Sequence, residues 1–237
     1  MGYGYYYRFD PTIILVLIGV ILSALASARV NSTFNRYARV RSACGMTGAE
    51  VAMRILNSQG IYDVSVRQVG GKLTDHYDPR SKTVNLSQSV YGATSIAALG
   101  VAAHECGHAI QDARDYAPLK LRGALVPIAN FGSQLSWPLI LIGLLLGRGG
   151  STLIQIGILL FVGAVLFQLI TLPVEFNASS RAVRLLGDTG ILMKQEVDGT
   201  KKVLGAAALT YVAAALGSIL QLLRLVLLFG GRGQDNE

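Results

Sequence analysis

Charged residues and cysteine are both scarce in this chain, and each scarcity excludes a class of protein. Only 15% of the 237 residues are charged, against roughly 25% in soluble globular domains. That shortage disfavours an ordinary soluble enzyme, and the 51% hydrophobic content excludes a disordered chain. With only 2 cysteines no disulfide framework is available, so a reducing compartment fits.

Acidic residues are few as well, 14 against 21 Lys and Arg, and the formal net charge is +7. In a soluble protein such an excess would suggest nucleic-acid binding. In an apolar chain with a mean hydropathy of +0.46 the excess reports membrane orientation instead. We therefore expect no nucleic-acid partner and a lipid bilayer as the surrounding medium.

Four apolar runs are long enough, or nearly so, to cross a hydrocarbon core of about 30 Å. The predicted spans are 11–28, 124–147, 152–172 and 203–229. The second and third are separated by a very short connection, which predicts a membrane hairpin. We expect a single membrane-embedded domain over residues 1–237, with polar segments at 29–123 and 173–202.

The first apolar run allows two interpretations. Ala26-Ser27-Ala28 has the small-x-small form of a signal-peptidase site. Arg29 and Arg36 follow at once and resist translocation of the downstream chain, which favours a retained anchor. Aromatic residues before the run predict an interfacial cluster made of Tyr3, Tyr5, Tyr6, Tyr7 and Phe9.

Basic residues are distributed unevenly between the two sides that these spans define. Residues 29–122 hold 12 and residues 173–204 hold 5, whereas the opposite side has 3, namely Arg8, Arg148 and Arg232. Basic loops are retained in the cytoplasm. The sequence therefore predicts a multi-pass plasma-membrane protein whose polar segments, and any site they carry, face the cytoplasm.

The polar segment before the second span has the pattern of a small α+β unit. A capping box at 47–50 opens a helix that ends near Gly60. Gly70-Gly71 is a hairpin signal between two apolar stretches. The pattern predicts a three-strand meander with strands at about 64–69, 72–77 and 82–86.

A long helix is predicted over 94–113, and it contains His104-Glu105-Cys106-Gly107-His108. Residues four apart on a helix lie about 40° apart around its axis, so both imidazoles can bind one Zn²⁺. Glu105 lies about 100° from His104, beside the metal, where it can take a proton from bound water. Cys106 points away from the two histidines and is expected to be a small buried thiol.

Two of the chain's 3 histidines fall in this motif, inside an apolar helix where unliganded His and Glu would be costly to bury. One Zn²⁺ per chain is therefore expected, and a catalytic zinc needs a third protein ligand. His76 and the acidic residues are candidates. Glu175 is favoured because a membrane hairpin returns the chain to the face it left; the alternative is an acid in the first turn of a helix after Pro173.

Three blocks of sequence resemble a known family: LTDHYDPR at 73–80, VAAHECGHAIQ at 101–111 and PVEFNAS at 173–179. They look like those of the YugP-like bacterial membrane zinc metallopeptidases, and the resemblance covers nearly the whole chain. More distantly the chain is similar to integral-membrane gluzincins of the heat-shock protease and prenyl-protein protease type. The resemblance implies His104, His108 and Glu175 as metal ligands and Glu105 as general base.

The chain departs from the wider gluzincin pattern in two ways. That pattern has Asp four residues after the ligand Glu, where this chain has Ser179. By the resemblance, Ser179 would orient a His ligand as a neutral hydrogen-bonding group. The relatives' oxyanion-stabilising His or Arg has no clear match, and the candidates are His76, Tyr77, Arg181 and Arg184; for the two arginines an interfacial anchor is the alternative.

Together these features predict a mainly α integral membrane protein with a small cytoplasmic, zincin-like α+β unit. The predicted function is a zinc endopeptidase of membrane-associated proteins, with an exposed strand of the meander binding an extended peptide. A di-iron carboxylate protein would need a second Glu-x-x-His, which 3 histidines cannot supply. A non-catalytic zinc-binding membrane scaffold derived from such a protease is the remaining alternative.

Overall fold

The computed structural model describes residues 10–230, apart from the side chain of Arg148. The predicted aromatic cluster before Asp10, and Arg8 and Arg232 of the charge count, lie outside the described residues. In chain order the elements are α1 (Ile13–Tyr37), α2 (Gly48–Ser58), β1 (Ser65–Val69), β2 (His76–Asp78), β3 (Thr83–Ser87), α3 (Gln88–Tyr91), α4 (Ile96–Ala113), α5 (Ala117–Leu145), α6 (Ser151–Asp188) and α7 (Lys194–Phe229).

Helices α1, α5, α6 and α7 are long and apolar enough to cross a membrane. They contain the four predicted spans almost entirely, and a mainly α membrane protein with a small sheet is confirmed. A 3₁₀ turn at Gly147–Gly150 joins α5 to α6, as a membrane hairpin requires. The two chain segments approach closely there, because a Cβ on Gly143 would lie 2.7 Å from the carbonyl oxygen of Gly150.

Helix α6 continues well past its apolar run, and this changes the setting of Glu175. Pro173 lies inside α6, so no helix begins there. The alternative placement of Glu175 in the first turn of a new helix is therefore wrong. Because proline lacks a backbone N–H, α6 gives up the hydrogen bond to the Leu169 carbonyl and continues to Asp188.

The predicted three-strand sheet is present, but its connectivity is not that of a meander. The strand order is β1-β3-β2, with β1 parallel and β2 antiparallel to β3. The segment after Gly70-Gly71 forms a loop rather than a hairpin, and the second strand begins only at His76. Strand β3 lies at the centre of the sheet, and its apolar residues Val84 and Leu86 are fully buried there.

The chain divides into two compact units by its contacts. One comprises Met1–Ala24, Pro127–Leu166 and Ala213–Glu237, and the other Leu25–Val126 and Phe167–Val212. The second unit contains the sheet and α4, around a core that α2, β3, α4 and the polar end of α6 share. The prediction of one domain over the whole chain stays a prediction.

Candidate metal centre

Helix α4 presents the motif from a buried position. Ser95 opens the helix, since its hydroxyl accepts a hydrogen bond from the backbone N–H of Ala98. One face of α4 packs into the core through fully buried small side chains. On that face the thiol of Cys106 donates a hydrogen bond to the Ala52 carbonyl, and burial raises its pKa, as expected for an inert thiol.

Gly107 lets α4 and α6 approach each other at the site. A Cβ at this position would lie 2.7 Å from the carbonyl oxygen of Ala178, closer than packed atoms tolerate, and 3.1 Å from its Cα, a tight contact. The absence of a side chain therefore brings the α6 backbone against the motif. This contact delivers Glu175 of α6 to the two histidines of α4.

The three predicted ligands lie together. The Oε2 atom of Glu175 is 3.3 Å from Nε2 of His104 and 3.6 Å from Nε2 of His108. Both separations exceed a good N–H···O hydrogen bond. Neighbouring ligand atoms of a tetrahedral zinc with bonds of about 2.0 Å lie about 3.3 Å apart. The two separations are close to that spacing, and the three candidate ligand atoms all lie within 4.8 Å of one another.

The Oε2 atom of Glu175 is buried and has no hydrogen-bond partner within residues 10–230. Glu175 is only 2% exposed, so water does not readily supply a partner. Such an atom is costly unless something binds it. Two imidazole nitrogens and one carboxylate oxygen form the donor set of a catalytic zinc, and the residues present therefore fit the metal.

Hydrogen bonds on the other ring nitrogens hold both imidazoles in place. Nδ1 of His104 lies 3.1 Å from the Ser179 hydroxyl, and Nδ1 of His108 lies 3.0 Å from Oε1 of Gln111. Each Nε2 is thereby left facing Glu175, as a metal ligand requires. Burial disfavours the charged form of His108, but the Glu175 and Glu105 carboxylates raise its pKa above the ordinary value.

Gln111 connects the second histidine to α6. Its side chain is fully buried, and its amide nitrogen donates to the Val174 carbonyl at 2.8 Å and to Oδ1 of Asn177 at 3.0 Å. With both donors directed at α6, its amide oxygen is free to accept the Nδ1–H of His108. No local pattern in the sequence distinguishes Gln111 from the other polar residues of the helix.

Arg122 of α5 holds the second oxygen of the predicted third ligand. Its Nη1 donates to Oε1 of Glu175 at 3.2 Å. The two carboxylate oxygens thus have different surroundings, one bonded to a guanidinium and one directed at the imidazoles. Sequence reasoning missed Arg122 because a lone arginine before a membrane span has the pattern of an interfacial anchor.

A cavity of about 450 Å³ opens beside the three ligands. Glu105 lines it and, within residues 10–230, its carboxylate has no hydrogen bond or ion pair. That carboxylate is therefore available to accept a proton from water in the cavity. Tyr211 of α7 also lines the cavity and interacts with Glu175 and Glu105. Because Tyr211 lies within a long apolar run, the sequence pattern did not indicate it as a site residue.

The four candidate oxyanion donors fall in different places. His76 and Tyr77 line the cavity, but Nδ1 of His76 bonds the Thr74 carbonyl and its Nε2 accepts from Asn85. The role of His76 as a transition-state stabiliser stays a prediction. Burial, together with a hydrogen bond to Asp112, raises the pKa of Tyr77. The two arginines do not line this cavity. Arg181 donates a hydrogen bond to an asparagine of its own helix, and Arg184 lines a separate groove.

Comparison with known proteins found a matching family and a similar protein. Residues 12–230 match the family described as "Putative neutral zinc metallopeptidase". The chain is similar to "Putative membrane protease YugP" of Bacillus subtilis (strain 168), with 50% identity over 224 residues that cover 94% of this chain and 99% of that protein. No solved structure matches the chain. The family match includes every residue of the candidate metal centre.

Proposed function

Because this chain belongs to the family of neutral zinc metallopeptidases, we propose that it is a membrane-embedded endopeptidase with one zinc held by His104, His108 and Glu175. The observation that carries the proposal is the buried Oε2 of Glu175, which has no hydrogen-bond partner within residues 10–230 and lies 3.3 and 3.6 Å from two Nε2 atoms. Three protein ligands leave a fourth position for water or substrate, as in catalytic sites.

Zinc bound there would polarise the scissile carbonyl and make a nearby water more acidic. Glu105 would take the proton of the attacking water and pass it to the leaving amine, since its carboxylate lines the cavity without a partner. Ser179 and Gln111 would keep both imidazoles in the tautomer that presents Nε2. Arg122 would hold Glu175 in its orientation through Oε1.

The edge strand β2 supports an extended peptide as the substrate. Strand β2 pairs with β3 on one side, and no strand within residues 10–230 pairs with its other edge. His76 and Tyr77 of β2 line the cavity beside the ligands. A peptide that adds to this edge would lie across the metal centre, with its carbonyl groups bonded to the strand backbone.

Membrane-associated proteins are the proposed substrates. Helix α5 contributes Leu119, Gly123 and Val126 to the cavity, and the apolar run of the second span begins at Ala124. The cavity therefore reaches the level at which the chain enters its apolar run. Substrate segments near a bilayer surface could approach it without leaving the membrane.

The cavity also separates this proposal from a zinc-binding scaffold without turnover. Structural zinc sites are usually closed by four protein ligands. Here three ligands border an open cavity, together with a carboxylate of the kind that activates water. Catalysis is the function that uses all of these groups.

The test measures zinc content and proteolysis of casein and of a membrane substrate by the full-length chain. We expect Glu105→Gln to retain zinc and lose cleavage, because the ligands remain while the proton acceptor is removed. Glu175→Ala should lose both. Asp198→Asn, at an exposed position outside the cavity, is the matched control and should behave as the wild type.

Two results would refute parts of this proposal. If Glu175→Ala holds zinc as tightly as the wild type, Glu175 is not the third ligand. If Glu105→Gln cleaves at the wild-type rate, the proton acceptor is another group. A wild-type chain that binds zinc and cleaves neither substrate would favour the scaffold.

The cytoplasmic orientation is proposed from the uneven distribution of basic residues, and the chain carries its own probe for it. Cys44 is exposed and lies in the same polar segment as the motif, whereas the other cysteine, Cys106, is buried. A membrane-impermeant maleimide should label inverted vesicles and leave intact cells unlabelled. Cys44→Ser is the control, and labelling of intact cells would reverse the proposed orientation.

A further inference from the structure

A second groove, of about 540 Å³, runs between α6 and α7 in the unit that contains the metal centre. On each helix the residues that line it recur every three or four positions, so each helix contributes one face. Most of the wall is apolar, with Phe176 and Val183 on α6 and Leu204 and Ala208 on α7. The groove therefore has an apolar wall of the kind that suits a hydrocarbon chain.

Two cations line the same groove, one on each helix. Arg184 and Lys201 are exposed, and within residues 10–230 neither forms an ion pair or a side-chain hydrogen bond. Asp188 also lines the groove, which leaves an excess of one positive charge. Unpaired cations beside an apolar wall complement a ligand that combines an anion with a hydrocarbon chain.

The position of the groove along α7 places Lys201 near the membrane surface, whereas Arg184 lies on the polar end of α6, 12 residues past the end of its apolar run at Leu172. The apolar run of α7 begins at Val203, and Lys201 precedes it by two residues, a rise of about 3 Å. Leu204 and Ala208 continue the groove wall into that apolar run. Lys201 thus lies where phospholipid headgroups lie, Arg184 faces it across the groove on the proposed cytoplasmic side, and the α7 part of the apolar wall extends in the direction of the acyl chains.

We propose that this groove binds one anionic phospholipid. Arg184 and Lys201 bind the phosphate, Ser180 at the groove wall donates a hydrogen bond to it, and the apolar wall receives an acyl chain. The bound lipid would also contact Ser179, which lines the groove while its hydroxyl bonds Nδ1 of His104. A lipid at this position would therefore be separated from a predicted zinc ligand, His104, only by the side chain of Ser179.

Lipid binding can be measured without any assay of proteolysis, so failure here leaves the proposed function untouched. The full-length chain in a neutral detergent is titrated with phosphatidylglycerol and with phosphatidylcholine of the same acyl chains, and bound lipid is counted by native mass spectrometry. We expect phosphatidylglycerol to bind more tightly. The double variant Arg184→Gln/Lys201→Gln should lose about 25-fold in its affinity, about fivefold for each cation.

A matched pair of substitutions controls for general surface charge. Lys194→Gln/Lys202→Gln makes the same change in net charge at exposed residues of α7 that do not line the groove. This variant should bind phosphatidylglycerol within about twofold of the wild type, because its cations lie outside the proposed site. An equal loss in both double variants would mean that diffuse charge attracts the lipid, which overturns the groove.

A third variant fills the groove instead of changing its charge. A Cβ on Gly205 would meet no atom within 4 Å, so Gly205→Phe can project its ring into the open space. We expect phosphatidylglycerol binding to fall while the thermal unfolding midpoint is retained. Two other results would overturn the proposal: equal affinity of the wild type for both lipids, or equally tight binding of soluble glycerol phosphate.

Discussion

Replacing Gln111 with Met should weaken zinc binding although Gln111 is not itself a ligand. Gln111 makes three side-chain hydrogen bonds, to His108, to Val174 and to Asn177. Two of the partners keep other bonds, because the Val174 carbonyl belongs to the α6 backbone ladder and Oδ1 of Asn177 also accepts from Arg181 at 2.7 Å. Only the His108 ring loses its orienting partner.

The expected losses of folding stability and of zinc affinity follow from this single unpaired donor on His108. One buried donor without an acceptor costs about 1–3 kcal/mol of folding stability. Loss of the group that orients a histidine ligand lowers metal affinity about 10- to 100-fold. That factor corresponds to about 1.4–2.8 kcal/mol of binding free energy. Zinc affinity should therefore fall measurably in a chain that still folds.

The assay is competition for zinc between the full-length chain and a chelating indicator, with circular dichroism to show that the variant is folded. Gln68→Met is the matched control, since Gln68 is exposed on β1 and distant in sequence from the site. A folded Gln111→Met variant that binds zinc within about twofold of the wild type would refute the role assigned to Gln111.

Three further substitutions or conditions test the same centre. Ser179→Asp should tighten zinc binding several-fold in the indicator assay, because a carboxylate makes a charge-assisted hydrogen bond to His104; unchanged or weaker binding would contradict this. Gly107→Ala should weaken zinc binding by more than about tenfold, because the alanine Cβ would lie 2.7 Å from the Ala178 carbonyl oxygen and push α6 away from α4. This loss is expected even though alanine by itself favours a helix over glycine by about 1 kcal/mol. Free zinc at a hundred times its Kd should raise the free energy of unfolding by about 2.7 kcal/mol and so raise the thermal unfolding midpoint. Glu175→Ala should abolish that rise, and an equal shift in the variant would remove Glu175 from the centre.

Local patterns predicted the elements that carry the site. The capping box at 47–50 opens α2 as expected, with Thr47 and Glu50 bonded to each other's backbone. The helix predicted over 94–113 is α4, capped by Ser95. The outer strands of the predicted three, at 64–69 and 82–86, overlap β1 and β3. Each of these features depends on neighbours within a few residues, and the sequence shows those directly.

Strand pairing could not be predicted in the same way. Gly70-Gly71 suits a hairpin, yet β1 pairs in parallel with β3, which lies at the centre of the sheet. The hairpin signal is local, whereas the choice of partner strand depends on what covers each face. In the folded chain the central strand is the one whose apolar side chains, Val84 and Leu86, are fully buried.

By itself the sequence determined the membrane-spanning helices, the excess of basic residues on one side and the spacing of His104, Glu105 and His108, because length, charge and helical period are properties of short segments. Only the tertiary structure decided what surrounds them. The bonds from Ser179 to His104, from Gln111 to Val174 and from Arg122 to Glu175 join residues 75, 63 and 53 positions apart. Such contacts exist only once α4, α5 and α6 are packed, and no local pattern encodes them.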